Sequence, residues 1–276
     1  MKTLLVQLIV SSTLLVSQAS VSAATHTSTV LQGNSRQEAE KLWEQAVLAK
    51  GGRDKLHAVS NMLASSRLNG TKYLVKPFTL RYEHFFVFPV RSWTWVDERE
   101  SGLEGFDIKV QMLDLERNLT YLTYPKDPES PRVSQLCPDC TDLRYSILRA
   151  QLRYLMESRW VRPVPLSASK ERRGFRQVDL VRTLVNGERV DFVLDGKSHL
   201  PLEFSHYDNF GGVESIHTES MSDYVEVAGI KVPKKITERR FRYHVEYLIN
   251  VPYDESLFEH PPTIEAGSEA WKAKQK

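Results

Sequence analysis

The chain has 276 residues, 41% hydrophobic and 26% charged, with a formal net charge of +2. Such a composition suits a globular protein with a sizeable core. The near balance of charge gives no electrostatic basis for nucleic acid or an anionic membrane as the main partner.

Residues 1–24 open with Lys2, run through an apolar stretch over residues 4–16 and close on Val21, Ser22, Ala23 and Ala24. That order of basic start, short apolar run and small-residue end predicts a cleaved secretory signal peptide. A membrane anchor would need roughly 20 apolar residues, more than this run supplies. The expected mature chain is soluble and exported. Residues 25–34 are small and polar and read as a flexible leader.

A helix follows. Ser35 with Glu38 three residues on reads as a capping box, and Ala39, Leu42, Trp43, Ala46, Val47 and Leu48 form an apolar stripe ended by Gly51 and Gly52. A short helical turn is expected next, with Leu56 and Val59 facing inward. From Met62 onward the apolar period changes to two. Phe78, Leu80, Tyr82, Phe86 and Phe88 then share one face, with His84 among them, while Thr79, Arg81 and Glu83 share the other. Pro89 separates this strand from one carrying Trp93 and Trp95. Further strands are expected near residues 106–115 and 118–124.

Four prolines make residues 125–138 a predicted loop. Leu143, Ile147, Leu148, Leu152, Leu155 and Met156 mark an amphipathic helix after it, with Arg144, Arg149 and Arg153 expected outside and Pro163 and Pro165 ending it. Strands resume, with turns signalled by Asn186-Gly187, Asp195-Gly196 and Ala228-Gly229, and Phe241, Tyr243, Val245, Tyr247 and Ile249 alternate in a final strand. Pro252, Pro261 and Pro262 introduce an irregular tail, and residues 263–276 are polar.

This order predicts a mainly β, α+β fold. It comprises a single curved antiparallel sheet of about ten or eleven strands covered by a few helices, because strands joined by short turns cannot pair in parallel. The concave face needs cover, which the two helices supply.

Catalytic vocabulary is sparse. No GxSxG elbow, glycine-rich phosphate loop or HExxH helix occurs, so no catalytic residue, metal ligand or cofactor is assigned. His206 with Asp208 and Glu203 could be drawn as an acid-base group, but the alternation of Leu200, Leu202 and Phe204 favours an ordinary strand. Cys137 and Cys140, spaced CPDC, are expected to form a loop-closing disulfide in an exported protein; thiol exchange at a helix start is the alternative. What remains is aromatic surface. Phe78, Leu80, Tyr82, Phe86, Phe88, Trp93, Trp95, Phe192, Phe204, Tyr243 and Tyr247 are the candidate lining of an apolar cavity, against the alternative of a plain packed core.

The leading helix ending in AKGGRDKL (residues 49–56), the meander, the midway helix and the late hairpin over residues 223–236 followed by VPYDESLF (residues 251–258) resemble the periplasmic lipoprotein-carrier superfamily, which includes the outer-membrane lipoprotein-sorting carriers. The likeness spans about residues 37–262. It implies an unclosed half-barrel over residues 35–262, interrupted by the insertion at 125–165, with a helical lid and an interior that receives acyl chains. The CPDC loop is not matched to a sorting carrier. On this reading Leu143, Ile147, Leu148, Leu152 and Met156 form the lid. The chain is then a monomeric, non-enzymatic carrier of a lipid, a lipoprotein acyl chain or another apolar ligand in the bacterial periplasm. It exchanges cargo with a membrane-associated donor or acceptor protein and does not bind nucleic acid. The alternatives are a thiol-exchange protein or enzyme on the same scaffold, or an interaction module that recruits a partner along a strand edge.

Overall fold

The computed structural model describes residues 36–72, 76–97, 108–123, 132–136, 141–210, 213–239 and 241–259. The signal-like segment, the leader, both cysteines with their expected disulfide, and the polar tail lie outside the described residues.

Among the described residues, besides a short 3-10 helix over Glu255–Phe258, there are three α-helices and thirteen strands. In chain order they are α1 (Arg36–Ala49), α2 (Arg53–His57), β1 (Asn61–Lys72), β2 (Lys76–Val87), β3 (Arg91–Asp97), β4 (Ile108–Asp114), β5 (Leu119–Thr123), β6 (Arg132–Gln135), α3 (Thr141–Leu155), β7 (Val164–Arg173), β8 (Arg176–Val185), β9 (Glu188–Asp195), β10 (Pro201–Phe210), β11 (Val213–Val227), β12 (Ile230–Glu238) and β13 (Phe241–Ile249). All the strands join one antiparallel sheet in the order β6-β5-β4-β3-β2-β1-β13-β12-β11-β10-β9-β8-β7, curved and unclosed. Twist accumulates from strand to strand, so a sheet this wide curls.

The expected half-barrel is therefore present, with more strands than the sequence suggested. Strand β6 lies in the proline-rich stretch read as a loop. Being the sheet's edge, it needs only one partner, and Tyr121 faces Val133 across the single ladder. The opposite edge, β7, starts inside the Pro163–Pro165 terminator. There the pairing with β8 shifts register between Pro165 and Ser167, a bulge that accommodates the proline.

The two halves of the sheet meet at one seam, where the first strand pairs with the last: Met62 faces Ile249 and Ala64 faces Tyr247. Helix α3 connects β6 to β7, the two outer edges, so its path must cross the sheet. It crosses on the concave face, where Ile147, Leu152, Leu155 and Met156 join one large core with α1.

Ala39, Leu42, Trp43, Ala46 and Val47 of α1 are buried as the stripe predicts, but Leu48 is 74% exposed. One residue advances about 100° around a helix, which carries Leu48 off the face that Val47 ends. Beyond α1 the chain docks on the β11–β12 turn: Lys231 N donates to Lys50 O at 2.7 Å. Gly51 is required there, since its φ is 127° and a Cβ would lie 2.4 Å from Gly229 O. Leu56 and Val59 turn inward.

The sheet's outer face carries a second core. Leu63, Phe85, Val87, Trp93, Trp95, Val110, Met112 and Tyr121 pack under the segment that follows β13, with Val251 and Phe258 buried on them. Arg91 fixes that segment through Glu255 at 2.5 Å and lies over the Phe258 ring.

Candidate functional site

The concave face is not filled evenly. At the seam, β1 places Ala64 and Ser66 between larger neighbours: Ala64 pairs with His84 and Tyr247, and Ser66 with Tyr82 and Val245. Two small side chains in a row of aromatic ones leave a hollow over the middle strand. A cavity of about 250 Å³ occupies it, walled by Tyr82, His84, Ile236, Tyr243 and Val245 on the strands and by Arg153 and Tyr154 of α3, with Glu219 and Glu238 completing it.

The walls are held by aromatic contacts. Tyr154 meets Tyr247 edge-on at 5.5 Å between ring centroids and lies 6.3 Å from Phe86, which stacks on Phe88 at 5.9 Å. Tyr82 contacts both His84 at 5.8 Å and Tyr243 at 6.5 Å. The Tyr247 hydroxyl donates to Pro233 O at 2.6 Å. Burial pushes the Tyr243 and Tyr247 hydroxyls above the usual tyrosine range, so both stay protonated. Burial, and then the nearby Arg153 guanidinium, holds His84 down at about 4, so its imidazole is neutral near pH 7.

Arg153 departs from the expected outward face of α3. It turns inward, and its Nη2 donates to Glu219 Oε1 on β11. Burial works against its charge, but the Glu219 carboxylate outweighs that and the guanidinium stays protonated. Glu219 shares a strand face with buried Met221, two residues on, and alternation alone would have put a carboxylate on the apolar side.

The predicted lining residues separate into three groups. Tyr82 and Tyr243 line the cavity, and Phe86, Phe88 and Tyr247 back its walls. Leu80 is buried on the same strand face. Phe192 and Phe204 are fully buried but belong beneath α1, where Trp43 meets Phe192 at 5.1 Å. Trp93 and Trp95 are on the outer face instead, because Trp93 pairs with Phe85, the one residue of β2's aromatic run that points outward. The Phe78 side chain lies outside the described residues. Of the helix residues, Ile147, Leu152 and Met156 are buried, and Leu143 and Leu148 pack on the same core.

Glu203 and His206 do not converge. Glu203 bonds Arg173 at 2.6 Å, whereas His206 stacks on His217 at 5.2 Å; three positions apart on one strand, they face opposite sides. The Asp208 side chain lies outside the described residues. Among the described residues no group of three or more His, Cys, Asp or Glu could hold a metal ion, and no helix is long and apolar enough to cross a membrane. A wider depression, about 740 Å³, is lined by charged groups including Arg67, Arg81, Glu83, Lys234 and Glu246. Its charged walls suit an apolar ligand less well than the smaller hollow does.

No protein-family model and no curated protein matches the sequence. Among solved structures, a LolA superfamily protein from Nitrosomonas europaea superposes with a TM-score of 0.51 at 11% identity, covering 80% of this chain and 96% of that one. A DUF1329 family protein from Desulfovibrio piger gives 0.49 at 12%, covering 80% and 97%. A domain described as outer-membrane lipoprotein-sorting from Vibrio parahaemolyticus gives 0.46 at 13%, again covering 80% and 97%. The chain thus has the fold of the LolA superfamily protein, an open antiparallel half-barrel with helices on its concave face.

Proposed function

We propose that this chain is an exported, non-enzymatic carrier that shelters an apolar chain of a lipid or lipidated protein on the concave face of its half-barrel. One observation carries the reading: Ala64 and Ser66 leave a hollow of about 250 Å³ where their neighbours could have closed it. The LolA-like fold and the signal-like residues 1–24 support a periplasmic carrier, taking cargo from one membrane-associated partner and passing it to another. Uptake is driven by removing chain surface from water, at about 25 cal/mol per Å². Cys137 and Cys140 serve this reading as a structural clip, outside the cavity's chemistry.

Native mass spectrometry of the mature protein, purified from an exported fraction without detergent, tests the proposal. A reproducible adduct that dissociates as a lipid or fatty acid is expected in the wild type and absent from a Ser66→Phe variant, whose ring fills the hollow. A clean apo mass after exposure to membrane extract would overturn it.

A further inference from the structure

The cavity contains a polar device that a purely apolar ligand would not use. The Arg153–Glu219 pair lies in its wall, with the Glu219 side chain only 2% exposed. Each partner keeps one atom without a hydrogen bond, Arg153 Nε and Glu219 Oε2. A buried donor and a buried acceptor left open are costly, and a ligand that satisfies both is favoured over one that satisfies neither. The pair's charges cancel, His84 is neutral near pH 7, and Glu238 adds negative charge. Arg153 is the one cation among the described lining residues, and it is already engaged. An ionised carboxylate or phosphate would meet the charge of Glu238 and no free cation there. The volume holds about eight water-sized groups, enough for a head and the first chain atoms.

We propose that the cavity selects single-chain amphiphiles whose head is uncharged and carries a donor beside an acceptor, as in an amide or a hydroxyl-bearing ester. The head's N–H or O–H donates to Glu219 Oε2 and its oxygen accepts from Arg153 Nε once the two side chains, whose open atoms the cavity does not reach, part to admit it. The inference rests on the carrier reading above and narrows its ligand class.

Displacement of the fluorescent probe N-phenyl-1-naphthylamine by lauramide, 1-monolauroylglycerol and laurate, each below its micelle threshold near neutral pH, tests it. The two uncharged ligands are expected to compete about tenfold more strongly than laurate, the difference one charge-assisted hydrogen bond makes. Glu219→Gln should shrink that ratio, since it frees the Arg153 charge to pair with laurate. The double variant Arg153→Gln/Glu219→Gln, which leaves no lone buried charge, should lose the preference while still binding the probe and keeping its circular dichroism. Lauramide ahead of monolauroylglycerol would point to an N-acyl amide, the reverse to a glyceride, and either supports the class. An unchanged ratio in both variants, or laurate as the best wild-type ligand, would overturn the head-group inference alone. A wild type that binds neither probe nor amphiphile would overturn the carrier reading with it.

Discussion

Lys50, at the end of α1, is fully buried. Its Nζ donates to Tyr154 O at 2.6 Å, a carbonyl in the last turn of α3 that has no partner within that helix, and lies 5.2 Å from the Tyr224 ring. Burial lowers its pKa from 10.5 to about 7. Because the folded value is depressed, the unfolded chain binds more protons between those two values, and stability rises with pH through that window. At 1.36 kcal/mol per unit for a single proton, the penalty carried by Lys50 is roughly 4 kcal/mol at pH 7 and roughly 2 kcal/mol at pH 9. Lys50→Met keeps the aliphatic length, removes the penalty and leaves the Tyr154 carbonyl unsatisfied, at a cost of about 1–3 kcal/mol. The variant should therefore be the more stable protein at pH 7, by about 2 kcal/mol, and close to the wild type at pH 9. Urea unfolding at both pH values measures the difference. Measurements should stop below pH 10, where the raised Tyr243 and Tyr247 pKa values begin to reverse the slope. Parallel pH profiles for the two proteins would refute the reasoning, since no proton would then be released at Lys50 on folding.

Three further outcomes follow from particular contacts. His84, held at about 4 by burial and then by Arg153, resists a proton that the unfolded chain accepts near 6.5, so its share of stability should fall as pH drops from about 6.5 to 4, by roughly 3 kcal/mol at most; His84→Gln should make that limb shallower in acid titration followed by near-ultraviolet circular dichroism, with His206, held at about 3 by burial, keeping the rest of the slope. Gly51→Ala should cost more than about 2 kcal/mol in urea unfolding, through left-handed φ and the 2.4 Å contact with Gly229 O. Trp93→Ala should cost about 3–5 kcal/mol by removing a fully buried ring, yet leave probe affinity of the folded protein unchanged because that ring is on the outer face.

Much of the fold was legible because alternation is a local property. The final strand, the Asn186-Gly187 and Ala228-Gly229 turns and the two long helices stand where their residues put them. The site was less legible because it depends on pairing. Strand β2 is apolar on both faces, with Phe86 inward and Phe85 outward, so the period could not say which face Trp93 would join until the register Phe85–Trp93 was known. Arg153 looked like one of three solvent-facing arginines, and only the crossing of α3 over β11 brings Glu219 within its reach. The hollow itself arises from Ala64 and Ser66, residues too ordinary in sequence to mark anything. They matter because β1 lies between β2 and β13, a position fixed by the pairing of the first strand with the last.

On the proposed carrier reading, the same contacts bear on how a ligand would reach the hollow. A lid swings only if at least one end is free, and both ends of α3 are tied. At its start Arg144 donates to Asn118 Oδ1 at 2.8 Å. Just past its end the buried Glu157 accepts from Trp43 Nε1 at 2.9 Å and Arg53 Nε at 2.7 Å, and Lys50 holds the Tyr154 carbonyl. Loss of Glu157 leaves the buried Trp43 N–H without its acceptor, while the half-exposed Arg53 keeps Glu44, so Glu157→Ala should cost about 1–3 kcal/mol in urea unfolding. If α3 must lift for exchange, loosening this tie would also speed ligand release measured by stopped-flow probe displacement. The tied geometry predicts the opposite: stability falls and the release rate holds, because the chain passes along the strands beneath a fixed helix, toward the ends where Glu238 and Tyr243 stand. A release rate that rises in step with the lost stability would show that α3 is the gate.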